Sequence, residues 1–135
     1  MANALYDLGR QGFLDGSIDW DTDDVRAILV DTGAYTVNLS THQFLSDVPA
    51  GARIAVSGAL ASKTVAAGVA DAADVTFTAV SGATVEAIVI YKHTGVEGTS
   101  RLIAYIDTAT GLPVTPNGGD INLVWDSGAN KIFKL

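Results

Sequence analysis

Two runs place an aspartate between an apolar stretch and a hydroxyl-glycine pair. One is AILV followed by Asp31-Thr32-Gly33, the other LVW followed by Asp126-Ser127-Gly128. Two such carboxylates brought together cannot both ionise. They share a proton, so one serves as acid and the other activates water. A second cluster, Asp19, Asp21, Asp23 and Asp24, offers hard oxygen ligands of the kind calcium prefers. His42 and His93 are the chain's two histidines and so its candidate imidazole bases. Trp20, Tyr35, Phe44, Tyr91, Tyr105, Trp125 and Phe133 could in principle line a platform for sugar rings.

The spacing weakens each of these readings. The Asp-Thr/Ser-Gly pattern is similar to the motif of aspartic proteases, but only nine residues follow Asp126, too few for a second lobe. After Asp31 there are 104 residues, enough for a retropepsin-like subunit, the remote alternative. Such a subunit resembles its family by a later apolar-Gly brace. Here no Ile-Gly, Leu-Gly or Val-Gly pair follows Gly33. Both tripeptides are expected to be turns after strands, since Asp caps and Gly accepts positive φ. In the acidic run, a calcium loop starting at Asp19 needs Gly sixth and Glu twelfth, where Asp24 and Val30 stand. A solvated acidic loop is the expectation. The histidines have no carboxylate at ligand spacing and read as surface residues. No nucleophile elbow, phosphate loop or dinucleotide fingerprint occurs, so neither catalytic nor cofactor-binding residues are assigned, and no metal. Most aromatics fall in strand patterns and read as core. Trp20, in the acidic loop, reads as an anchor onto a partner.

The elements that would position these residues are mostly strands. VRAILV (25–30), ARIAVS (52–57), VTFTAV (75–80), ATVEAIVIY (83–91), RLIAYID (101–107), INLVWD (121–126) and KIFKL (131–135) are runs rich in β-formers, separated by Gly, Asn, Pro and Ser turns. A short strand at 36–39 would make eight. In ATVEAIVIY, Val85, Ala87 and Val89 fall on one face and Ile88 and Ile90 on the other, which predicts a central strand covered on both sides. In the next strand, Leu102, Ala104 and Ile106 alternate with Ile103 and Tyr105. The turn SGAN predicts a hairpin between the last two strands. Residues 2–15 predict a short helix on Leu5, Leu8 and Phe13, weakened by Gly9, Gly12 and Gly16. Ser40 or Thr41 is placed to cap a helical turn that Pro49 ends. Residues 60–73, small and weakly periodic, predict no element. The expected fold is all-β: a β-sandwich or small β-barrel of about seven or eight strands with a short N-terminal helix or arm. Residues 1–135 form one domain, and residues 1–24 are an arm and acidic loop that pack on it or on a partner.

Composition narrows the partners. The net charge is −7, with 15 acidic against 8 basic residues, and an acidic surface repels phosphate backbones. Nucleic acid is not an expected partner. The chain has no cysteine, hence no disulfide frame, and no apolar run of membrane-spanning length. The opening MANALYDLGR lacks the basic start and apolar core of a signal peptide, so synthesis in the cytoplasm is expected. Charged residues make up only 17% of the chain, which suits a compact protein with extensive contact surface.

Four blocks carry a resemblance. They are ANALYDLGRQGFLDGSIDW, VDTGAYTVNLSTHQFLSDVPAGARI, GVADAADVTFTAV and LIAYIDTATGLPVTPNGGDINLVWDSGANKIFKL. They resemble small virion structural proteins of tailed bacteriophages, over nearly the whole length. The resemblance implies a non-enzymatic virion component on the capsid surface: a cement or decoration protein that binds major capsid subunits and copies of itself as a dimer or trimer. It leaves open a tail or fibre component, carbohydrate-binding or not. It brings no catalytic motif and no cofactor. The expected contact residues are Tyr6, Phe13, Leu14, Ile18 and Trp20, from the arm.

Overall fold

A computed structural model describes residues 4–108, 111–125, 128 and 131–135. Among these, ten strands and one α-helix occur: β1 (Ala4–Leu5), α1 (Asp7–Leu14), β2 (Val25–Val30), β3 (Arg53–Val56), β4 (Thr64–Ala66), β5 (Val69–Asp71), β6 (Val75–Phe77), β7 (Ala87–Lys92), β8 (Leu102–Ile106), β9 (Ile121–Leu123) and β10 (Phe133–Lys134). The fold is mainly β, as expected, a small sandwich with a short N-terminal helix. All pairings are antiparallel. The main sheet has the order β1-β8-β7-β2-β3, and two small ladders, β10-β5-β4 and β6-β9, accompany it.

Strand β7 lies in the middle of the main sheet, with both faces covered, as its two-sided apolar pattern requires. One face carries Ala27, Leu29, Ile88 and Ile90, which pack with Trp20, Phe77, Leu123 and Trp125 from the small-ladder side. The other carries Ile28, Val30, Val89 and Tyr91 and is covered by Tyr6, Tyr35, Leu45 and Val48. Simple alternation fails in β8. The register slips between Ile90 and Tyr91, so that Ala104 faces Ile90 while Leu102 faces Tyr91. The skipped residue, Ile103, joins Ala104 and Ile106 on one face, and Leu102 joins Tyr105 on the other. Such a bulge re-aims one side chain and bends the strand.

The N-terminal segment is part of this frame. β1 extends the main sheet along β8, and the Tyr6 N–H continues the contact to the Ile103 carbonyl at 3.0 Å. Helix α1 then lies against β8 through glycine. Gly9 and Gly12 are its buried residues. A Cβ on Gly9 would stand 2.7 Å from the Leu102 carbonyl oxygen. The glycines expected to weaken this helix are what lets it approach the sheet.

Several expectations are corrected. Residues 36–39 form no strand. Neither Ser40 nor Thr41 caps the helical turn: Asn38 caps a separate turn, accepting the Ser40 and Thr41 N–H groups at 3.1 Å each, and Phe44 precedes the helical turn, its N–H bonded to Asp47 at 3.1 Å. The helical turn shrinks to one 3-10 turn, Leu45–Asp47. Among the described residues no hairpin joins β9 to β10: β9 pairs with β6 and β10 with β5. Asp126 and Ser127, where that turn was placed, lie outside the described residues. The featureless stretch at 60–73 holds a hairpin, β4–β5, turning at Ala67 (φ 51°) and Gly68 (φ 81°). Positive φ at both central residues marks the tight turn whose twist matches paired strands. Among the described residues no helix is long and apolar enough to cross a membrane.

Candidate functional site

The segment from Phe13 to Asp21 arches over the β10-β5-β4 ladder and leaves an apolar groove of about 290 Å³. Trp20 forms its floor. Its indole N–H donates to the Asp71 carbonyl at 3.1 Å, and its ring meets Phe133 edge-on at 5.2 Å. Phe13 packs on the same Phe133 ring at 5.8 Å. Val65 and Leu135 line the open side, each more than half exposed. Leu14 adjoins Phe13 in sequence and is 85% exposed. Asp19 and Asp21 border the groove, and its lining contains no cationic side chain.

The acidic run is a partly paired loop. Asp24 binds the Arg26 guanidinium through two bonds of 3.0 Å, which hold its carboxyl below the usual range. Asp23 accepts the Asp19 N–H at 2.8 Å and pairs with Lys92 at 3.2 Å. Lys92 also donates to the Ser17 carbonyl at 2.7 Å, and Lys63 donates to the Asp23 carbonyl. The side chains left at the surface are Asp19 and Asp21. Interaction between the two carboxyls raises the affinity of Asp21 for its proton and lowers that of Asp19. Among the described residues no three metal-ligating side chains converge.

The expected contact residues divide sharply. Tyr6, Ile18 and Trp20 are core, with exposures of 0%, 4% and 3%. They are not surface anchors in this fold: pairing of β1 with β8 carries Tyr6 under the sheet, and Trp20 is drawn in by Asp71 and Phe133. Phe13 is half-buried at the groove, and Leu14 projects outward. The structure adds Val65 and Leu135, which are not among the expected contact residues. The Ala67-Gly68 step between TVA and VAD was the available signal for the hairpin that presents Val65.

The other candidates are built into turns and core. Asp31 accepts the Gly33 N–H at 2.8 Å, an Asx turn, and Thr32 donates to Glu86 at 3.1 Å. His42 and His93 are half-buried rather than surface residues. His42 Nδ1 accepts the Asn38 N–H at 3.2 Å and lies 2.8 Å from the Tyr35 hydroxyl, which meets the Tyr6 hydroxyl at 2.9 Å. Burial pushes Tyr35 up to about 12 and Tyr6 further still, so both phenols stay neutral. His93 Nδ1 meets the Tyr91 hydroxyl at 3.1 Å. Of the seven aromatics considered for a platform, Trp20, Tyr35, Tyr91, Tyr105 and Trp125 are buried.

No protein-family model and no curated protein matches the chain.

Proposed function

We propose that this chain is a non-enzymatic structural protein of a tailed-bacteriophage particle, a cement protein that docks on major capsid subunits, alone or with copies of itself. The observation that supports it is the exposed apolar side chains at the mouth of the groove, Val65 and Leu135, together with Leu14, which follows the groove residue Phe13 in the chain. Val56, Val96 and Val124 are exposed as well, but Val65 and Leu135 differ in lining a groove, which favours a contact surface there. The phage assignment itself comes from the resemblance of the sequence blocks. A cement needs a compact domain, no cofactor and a contact surface that survives in many copies.

The test uses particles. Shells stripped of the protein are expected to rupture at lower temperature, and adding it back is expected to restore them. Equal robustness with and without it would sink the reading. Recovery of the protein with isolated tails instead of shells would replace cement by the tail alternative.

A further inference from the structure

One edge of the β10-β5-β4 ladder is open, and the groove lies beside it. Among the described residues strand β4 pairs with β5 alone, and Thr64, Val65 and Ala66 are all exposed. The direction of its free hydrogen-bonding groups follows from the register. Val65 faces Ala70, and the Ala70 carbonyl accepts the Ile132 N–H at 3.1 Å on the β10 side. In an antiparallel ladder the N–H and C=O of one residue point the same way, and facing pairs alternate between bonded and non-bonded. Val65–Ala70 is therefore a non-bonded pair. The Val65 N–H and C=O point outward, to the open edge.

The faces follow too. Val65, Ala70 and Phe133 are in register across the ladder and share one face, the one lining the groove. A strand added antiparallel to β4, exchanging both backbone bonds with Val65, would place its facing side chain on that same face. Its residues two places away would return to that face, which Asp19 and Asp21 border. The charged groups of the lining are Asp19 and Asp21, with Lys63 engaged at the Asp23 carbonyl beside them, and the whole chain carries −7. That disfavours a second copy of this chain and favours a cationic partner.

We propose that β4 and the groove together bind an extended segment of a partner protein, with a bulky apolar residue flanked at two-residue spacing by lysine or arginine. The apolar side chain enters between Val65 and the Trp20–Phe133 pair, the backbone completes the edge at Val65, and the cations meet Asp19 and Asp21. This specifies the contact of the shell-binding reading and rests on that reading for where the segment comes from.

The test is fluorescence anisotropy of a dye-labelled peptide, Thr-Lys-Val-Leu-Val-Lys-Thr, with the full chain. Saturable binding is expected. Replacing both lysines by glutamate, N-methylating the central leucine, or changing that leucine to serine should each weaken it by about tenfold or more. Val65→Lys, a change at an exposed strand position, should weaken it similarly, as should the double variant D19N/D21N. The N-methyl peptide leaves the protein untouched, so its result does not depend on any variant folding. No saturable binding at about 1 mM peptide, or binding indifferent to N-methylation and lysine reversal, overturns the proposal. So does concentration-dependent dimerisation that Val65→Lys abolishes, which would assign the edge to a second copy. Shells still stabilised by a protein that fails the peptide assay would refute this site while leaving the cement reading standing. Peptide binding by a protein that leaves shells unchanged would do the reverse.

Discussion

Replacing Gly9 by alanine sets helix propensity against packing. In a free helix the change stabilises by about 1 kcal/mol, because alanine loses less backbone entropy. Here the added Cβ would stand 2.7 Å from the Leu102 carbonyl oxygen, 3.0 Å from that of Ile103 and 3.2 Å from the Ile103 Cα. All three are backbone atoms of β8, which is held between β1 and β7. Neither side can yield without stretching ladder bonds, and overpacking of this kind costs about 1–3 kcal/mol, more when backbone must move. The expected net effect is a loss of about 1–2 kcal/mol, or a melting temperature lower by about 3–8 °C. Gly12→Ala is the comparison. Its Cβ would meet Ile18 Cδ1 at 2.6 Å, Ile18 Cγ1 at 2.9 Å and Arg101 Nη1 at 3.1 Å, side-chain atoms rather than ladder backbone. Ile18 is packed in the core, so this variant should also lose stability, but less than Gly9→Ala because side chains and not a strand must give. Urea unfolding followed by the fluorescence of the two buried tryptophans, Trp20 and Trp125, measures both. If Gly9→Ala raises stability, or if the two variants are indistinguishable, α1 does not dock on β8 as described.

Trp20→Ala should destabilise by about 3–5 kcal/mol, since it empties the floor of the groove and removes the indole donor to the Asp71 carbonyl. Loss of any binding in that variant therefore counts only beside a circular-dichroism melt. Arg53 donates to the Leu45 carbonyl at 2.9 Å and to that of Val48 at 2.6 and 2.9 Å, while also pairing with Glu97 at 2.7 Å. Arg53→Lys keeps the charge but loses the fork, and should cost about 1–2 kcal/mol in urea titrations. Acid should weaken the fold in a defined sense. The Arg26 guanidinium holds Asp24 below the usual carboxylate range; burial raises Asp47, but the Gln43 and Phe44 N–H groups outweigh it and hold that carboxyl low as well. Groups depressed in the folded state contribute above their unfolded pKa, about 4, and lose that contribution as pH falls through the folded values. Melting temperature should stay level from neutrality to about pH 5 and drop below about pH 4. Asp47→Asn should shrink the drop, and an unchanged acid limb would refute the assignment.

Much of the fold was legible because burial writes itself into short-range pattern. The two-sided apolar run of β7 announced a central strand, and β2 and β8 were visible as β-rich runs between turn residues. What failed did so for identifiable reasons. The β8 bulge shifts one residue's face, and nothing in LIAYI marks it; pairing with β7 places it. The β4–β5 hairpin is too short and too exposed to show alternation, and only its Ala67-Gly68 turn carried a signal. Adjacency suggests the closing hairpin, whereas the paired residues of β9 and β10 lie more than forty and more than sixty positions back in the chain.

The site divides in the same way. The sequence by itself determined that the arm is rich in aromatic and apolar residues, that acid clusters beside them, and that Asp31-Thr32-Gly33 sits where a turn belongs. It could not say which of Tyr6, Phe13, Leu14, Ile18 and Trp20 remain accessible. Exposure is a property of what lies opposite, and that was decided by long-range contacts: β8 took Tyr6, Gly12 made room for Ile18, and Phe133 with the Asp71 carbonyl took Trp20. Leu14 alone was left outside, next to a groove whose other wall is supplied by residues half a chain away.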